Sequence, residues 1–174
     1  MSEIEVRQLT KADTPAFRTL RLEGLKQAPE AFSAAYEDEV RRSDEVFAVR
    51  IPDAPPSAIF GAFRCGRLVA MTGLMVPAGA RERHKGLVWG VYVAVEARGS
   101  GLARRLLDTV IAHARTVEGL EILQLGVGVD NAPAKAVYAA AGFALYGVER
   151  KALKLADGRY VDEELRVLEL GSGR

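Results

Sequence analysis

A chain of 174 residues with 49% apolar and 27% charged side chains is long enough for one domain with a sizeable core and too apolar for a disordered one. Its formal net charge of +1 provides no global attraction to nucleic acid or to an anionic membrane. The one cysteine, Cys65, excludes an intramolecular disulfide and a thiolate metal knuckle, and is expected as a structural thiol beside a turn. Residues 1–6 lack the basic and apolar regions of a signal peptide, and the longest apolar stretch, 86–95, is far short of the roughly 20 residues that span a bilayer. The expected location is the cytoplasm, with neither a membrane nor a nucleic acid as partner.

Residues 4–9 alternate apolar with polar side chains and predict a short strand. Thr10 follows as an N-cap, with Asp13 as the acid of a capping box. Phe17, Leu20, Arg21 and Leu25 recur at helical spacing, so a first helix ends before Pro29. Pro29-Glu30-Ala31-Phe32 opens a second helical segment through Tyr36 and Val40 towards Val49. Residues 51–57 carry Pro52, Pro55 and Pro56 and form a connector inside a single domain, 1–174.

Strand-prone runs occupy 58–64, 68–76 and 85–95, with turns at Cys65-Gly66-Arg67 and 77–83; three hairpin-linked strands are the simplest reading. Residues 101–117 predict an amphipathic helix with Leu102, Leu106, Leu107, Val110, Ile111 and Ala114 on one face. A strand at 122–129, a short helix at 132–141, and a hairpin of 144–155 and 160–170 turned at Asp157-Gly158 complete the chain. This order predicts an α/β domain: a central, mixed and mostly antiparallel sheet flanked by helices.

The segment Arg98-Gly99-Ser100-Gly101-Leu102-Ala103 joins a strand directly to a helix. The first N–H groups of a helix lack intrahelical partners and sit at the positive end of its dipole, so a diphosphate can accept several of them at once. Gly99 and Gly101 allow a tight turn and a close approach of backbone to ligand. Arg98, Arg104 and Arg105 add positive charge nearby. A nucleotide triphosphatase loop would need Gly-Lys-Ser or Gly-Lys-Thr, and a dinucleotide fingerprint would need glycine where Arg104 stands. A glycine-bearing turn without a ligand is the bland alternative.

Arg98-x-x-Gly101-x-Ala103 resembles the acyl-CoA signature of the GNAT superfamily of N-acetyltransferases, and Val91-Tyr92-Val93 resembles the strand before it. The order of elements is similar to that family from Ile4 to Leu170. Val95 stands where many members carry proline, an exchange that a strand end tolerates. Downstream, Asn131 is suited to cap a helix with Pro133 in its first turn, and Gly142 to end it. Asn131 and Tyr138 are seven residues apart, about two turns, and lie near one face. Tyr138-Ala139-Ala140-Ala141-Gly142-Phe143 matches the family's Tyr-x-x-x-Gly-Phe pattern, although an isolated tyrosine on such a helix would more simply be packing.

The resemblance implies acetyl-CoA as co-substrate, no metal, and direct transfer in a ternary complex. It implies cofactor contacts from Val91, Val93, Arg98, Gly99, Ser100, Gly101, Leu102, Ala103, Asn131 and Tyr138. The Val93 N–H would be the oxyanion donor and Tyr138 the general acid, its phenol protonated at neutral pH. The general base is not legible. Deprotonating a lysine-type amine of pKa about 10.4 at pH 7 costs about 4.6 kcal/mol, whereas an α-amine near 7.7–8.0 costs only about 1 to 1.4. Glu37, Glu39, His84 and Glu163 are candidates only because they flank the acceptor region that the family implies.

The leading expectation is acetylation of a small molecule's primary amine, with a protein N-terminus or lysine as the alternative acceptor. Pro29-Glu30-Ala31-Phe32-Ser33 resembles a segment of small family members and leans weakly to the former. A catalytically silent acyl-CoA-binding module is the alternative of another class, and Tyr138 argues against it. Many members dimerise, so a homodimer is compatible with the resemblance.

Overall fold

The computed structural model describes residues 4–171. Its strands form one sheet in the order β1-β2-β3-β4-β5-β7-β6. They are β1 (Ile4–Gln8), β2 (Ala58–Arg64), β3 (Arg67–Met75), β4 (Lys85–Val93), β5 (Ile122–Gly128), β6 (Ala144–Lys154) and β7 (Tyr160–Glu169). Neighbours pair antiparallel throughout except β4 and β5, which are parallel. Parallel neighbours need a crossover, and α4 (Leu102–Thr116) supplies it. The mixed, mostly antiparallel sheet expected from the order of elements is therefore observed.

The Asp13 carboxylate accepts the Thr10 N–H at 2.8 Å, closing the expected box. What it opens is a single 3-10 turn, Lys11–Asp13, before α1 (Thr14–Gln27) begins with Pro15 in its first turn. The helix buries Phe17, Leu20, Arg21 and Leu25, the predicted face, together with Thr14 and Gly24.

The second helical segment is not continuous. It breaks into a 3-10 turn at Pro29–Ala31, α2 (Tyr36–Glu39) and α3 (Asp44–Arg50). The break between α2 and α3 accompanies an inward turn of Glu39, which is only 2% exposed. In one unbroken helix Glu39 and Arg50 would be about 16 Å apart along the axis. The break folds α3 back so that Arg50 reaches both Glu39 oxygens, at 2.5 and 2.8 Å.

Alternation along the strands sends Trp89, cross-strand from Gly73, to one face of the sheet, and Phe60 with Thr72 to the other. On the Trp89 face lies α1, whose Arg21 guanidinium is 5.6 Å from the indole centroid. On the Phe60 face lies α4, whose His113 ring meets Phe60 edge-on at 5.4 Å. The core is the layer on both faces, including Phe17, Leu20 and Met71 as well as Leu106 and Val110. Gly73 is required by contact: a Cβ there would stand 2.4 Å from Trp89 Cε2. Gly73→Ala is expected to lower stability by about 1–3 kcal/mol in urea unfolding.

Cys65 differs from its expectation. It sits in the β2–β3 turn at φ 49° and is exposed, so it is a surface thiol and not a packed one. Among the described residues no helix is long and apolar enough to cross a membrane.

Candidate active site

The site is organised by a flaw in β4. Its pairing with β3 jumps from Gly73↔Trp89 to Met71↔Tyr92, so Gly90 and Val91 together oppose Thr72. Gly90 has φ +63°, the left-handed conformation that a bulge uses. Beyond it, the Ala94 N–H donates to Val69 O at 2.8 Å across to β3. Alternation then turns the Val93 N–H, and that of Val91, to the opposite edge, towards β5.

At that edge β5 has departed. The parallel register comprises only Lys85↔Ile122, Gly86↔Leu123 and Leu87↔Gln124. From Val88 onward the two strands diverge, leaving a wedge with Val91 and Val93 on its rim. Of the two glycines in the strand-prone run 85–95, Gly90 is the sequence signal for this bulge, which a continuous-strand reading passes over.

From Val93 the chain passes through a 3-10 turn, Val95–Ala97, into the expected loop. Gly99 and Gly101 have φ +72° and +75°, with nothing within 4 Å of a Cβ built at either position. They are there for backbone conformation, and the loop is left open on that side. The Ser100 hydroxyl donates to Ala97 O, which ties the turn. Arg105 is the first residue of α4 whose N–H returns to a helical carbonyl, Gly101 O at 3.1 Å. The N–H groups of Leu102, Ala103 and Arg104 therefore point outward from the helix start. Leu102 is buried and anchors that turn.

The arginines are more occupied than their sequence position suggested. Arg98 Nε donates to Val93 O at 3.2 Å, bracing the rim, with its guanidinium 5.8 Å from the Tyr92 ring centroid. Arg104 pairs with Asp108 at 2.8 Å and donates to Ala140 O at 3.0 Å. The second bond joins the start of α4 to the end of α5 (Ala132–Ala140), so the two sequence motifs meet in space.

In α5, Asn131 Oδ1 accepts the Ala134 N–H at 3.2 Å, the N-cap expected of it. Gly142, at φ +99°, ends the helix. Tyr138 is 6% exposed and its ring meets Phe143 edge-on at 6.1 Å. Its hydroxyl has no hydrogen-bond partner among the described residues, and burial pushes its pKa up to about 12.

The four carboxylate and imidazole candidates separate clearly. Glu39 is bound by Arg50, Arg21 and Arg42, and the Arg50 hydrogen bonds hold its pKa down to about 2, so it is a structural anion. His84 precedes β4, where its carbonyl accepts from Glu121 and Ile122, at the closed end of the wedge. Glu37 is exposed on α2. Glu163 on β7 pairs with Gly128 and reaches over Gly126, where a Cβ would stand 2.7 Å from Oε2. Burial, with Glu149 opposite, raises its pKa. Of the four, only Glu163 lies beside the diverging part of β5.

Residues 14–143 match the sequence model of the Acetyltransferase (GNAT) family. The chain belongs to that family. As an acetyltransferase it is 28% identical over 162 residues to the L-amino acid N-acetyltransferase AaaT of Escherichia coli, covering 93% of this chain and 95% of that protein. It is 34% identical over 140 residues, 79% of its length, to the mycothiol acetyltransferase of Thermobispora bispora, of which it spans only 45%. Its fold is similar to that of a GNAT-family acetyltransferase from Streptococcus pneumoniae, with a TM-score of 0.85, 21% identity, and coverage of 96% and 99% of the two chains. It is also similar to yncA, a putative acetyltransferase of Salmonella typhimurium solved with its cofactor acetyl-CoA, at TM-score 0.79 and 18% identity over 98% and 95% of the two chains.

Proposed function

We propose that this acetyltransferase moves an acetyl group from acetyl-CoA directly to the primary amine of a small molecule. The observation that carries the reading is the wedge between β4 and β5, which opens beside the outward N–H groups of α4 and the helix bearing Tyr138. The residues fit the donor: Gly99 to Ala103 offer backbone N–H groups and an open approach for a diphosphate, and Arg98 flanks them. The Val91 and Val93 edge suits the amide-bearing arm, which hydrogen-bonds as a strand does, and Asn131 follows β5, the other strand of the wedge. Acetyl-CoA supplies an activated thioester there.

The chain's own residues do the rest. The Val93 N–H donates to the oxygen on which charge develops, at a fixed strand edge that needs no rearrangement. Tyr138 offers its proton to the departing sulfur. Glu163, beside the diverging part of β5, is the proposed acceptor of the proton that the amine sheds, and its raised pKa suits that task. Gly101→Val forces a branched side chain to φ +75°, a strain of roughly 1–2 kcal/mol. Calorimetry is expected to find coenzyme A binding weakened about 10-fold.

The likeness to AaaT over almost its whole length supports a small acceptor. Thiol release from acetyl-CoA with amino acids, polyamines, aminoglycosides and peptides is the test. Turnover confined to peptides would move the acceptor to a protein, and no release with any amine would favour a silent acyl-CoA-binding module.

A further inference from the structure

Arg21 carries a charge that the protein compensates only in part. It lies in α1, 8% exposed, with its guanidinium 5.7 Å from the Phe32 ring centroid and 5.6 Å from that of Trp89. Its Nε donates to Glu39 at 3.2 Å. Glu39, however, is already gripped at both oxygens by Arg50 and approached by Arg42 at 3.5 Å. One carboxylate thus faces three guanidiniums. Burial, and repulsion from Arg50 and Arg42, pull Arg21 below the usual arginine pKa in spite of Glu39.

Among the described residues no group accepts a hydrogen bond from Arg21 Nη1 or Nη2. Neither atom is sealed from solvent, since the unpartnered side-chain atoms that are fully enclosed are Arg18 Nε and Thr72 Oγ1. Nη1 stands over the β4 bulge, 3.8 Å from where a Cβ of Gly90 would be. Val93 is three residues on, about 10 Å along a strand. A guanidinium held between two rings presents its paired N–H groups in a fixed direction, and that fork matches a carboxylate. A buried cation without a full partner is costly, and an anion arriving there removes the cost.

We propose that Arg21 binds the carboxylate of the acceptor, so that the substrate is an amino acid whose amine is directed to the Val91–Val93 edge. This rests on the small-molecule reading above and narrows it to one substrate class. The aromatic walls, Phe32 and Trp89, fix the guanidinium, and Glu39 fixes its far side. Arg21 is thus a specificity-determining residue whose ligand completes the charge balance of the α1–α3 cluster.

The test compares the twenty standard L-amino acids with their carboxamides, by thiol release and by calorimetry on enzyme free of coenzyme A. The expected result is at least one amino acid preferred over its amide by about 10- to 100-fold in kcat/KM, with the same order in binding. Arg21→Gln should bring that acid-to-amide ratio close to one, chiefly through KM, and Arg21→Lys should restore part of it. The wild-type comparison stands even if a variant folds poorly. Equal use and equal binding of acids and amides overturns the Arg21 proposal while leaving amine acetylation intact. No thiol release with any amine sinks the small-molecule reading instead, and calorimetry still decides whether Arg21 selects a carboxylate.

Discussion

Tyr138→Phe is expected to lower kcat by about 100-fold or more while changing the affinity for coenzyme A by less than about 3-fold. The substitution deletes one hydroxyl and keeps the ring that packs edge-on against Phe143. The hydroxyl makes no bond within the described protein, so its loss strands no partner, and a drop in rate is not a folding effect. Burial sharpens the role. With a pKa pushed up to about 12, the phenol stays protonated throughout the range in which the enzyme can be assayed. Complete transfer of its proton to a thiolate near 8.5 would be uphill by roughly 5 kcal/mol. In the proposed reaction Tyr138 is therefore a hydrogen-bond donor to the departing sulfur, which takes its final proton from solvent, while Glu163 holds the one the amine sheds. The pH profile of the wild type should accordingly show no limb from Tyr138 below about pH 10. An unchanged kcat in Tyr138→Phe would remove it from the reaction.

Glu39→Gln is expected to destabilise the protein by about 3–5 kcal/mol, read from urea unfolding at neutral pH. The side chain keeps its shape but no longer neutralises Arg50, Arg21 and Arg42, which converge on it. Few native domains hold more than about 15 kcal/mol in total, so the loss would be a large fraction. Acid has a related effect. The folded pKa of Glu39, about 2, lies below its ordinary 4.5, so its contribution is complete above pH 4.5. It fades as pH falls through that window towards 2, and amounts to about 3 kcal/mol. The variant should lack this part of the acid sensitivity. A cost under about 1 kcal/mol would mean that the cluster is solvated and that α2 and α3 are held by apolar packing alone.

What could be read from the sequence was what local chemistry decides. β2 occupies the residues expected, and α4 buries all six of the apolar residues that its spacing selected. The loop at Arg98 to Ala103 and the cap at Asn131 were legible because glycine and asparagine serve backbone needs that are fixed within a few residues. Glu39 was not legible. A periodicity reading treats a glutamate between charged neighbours as solvated, and its three arginines come from positions 3, 11 and 18 residues away on separate elements. The same distance hid Arg21: its helical spacing marked it as inward-facing, but its partners and its unused nitrogens exist only after α1, α2 and β4 have come together. The divergence of β4 from β5 was equally hidden, since parallel pairing leaves no turn signal to mark where it starts or stops.

That divergence also divides the molecule. Three residue pairs join the sheet across its middle, with an antiparallel block of β1 to β4 on one side and β5, β7 and β6 on the other. The chain passes from one block to the other once, after α4, through residues 117–121. A single cut there would yield two fragments, each with its own antiparallel ladder. Neither would hold the candidate site, because the loop before α4 belongs to the first and Tyr138 to the second. Only reassociation would rebuild it, which makes this protein suited to complementation between two separately expressed pieces.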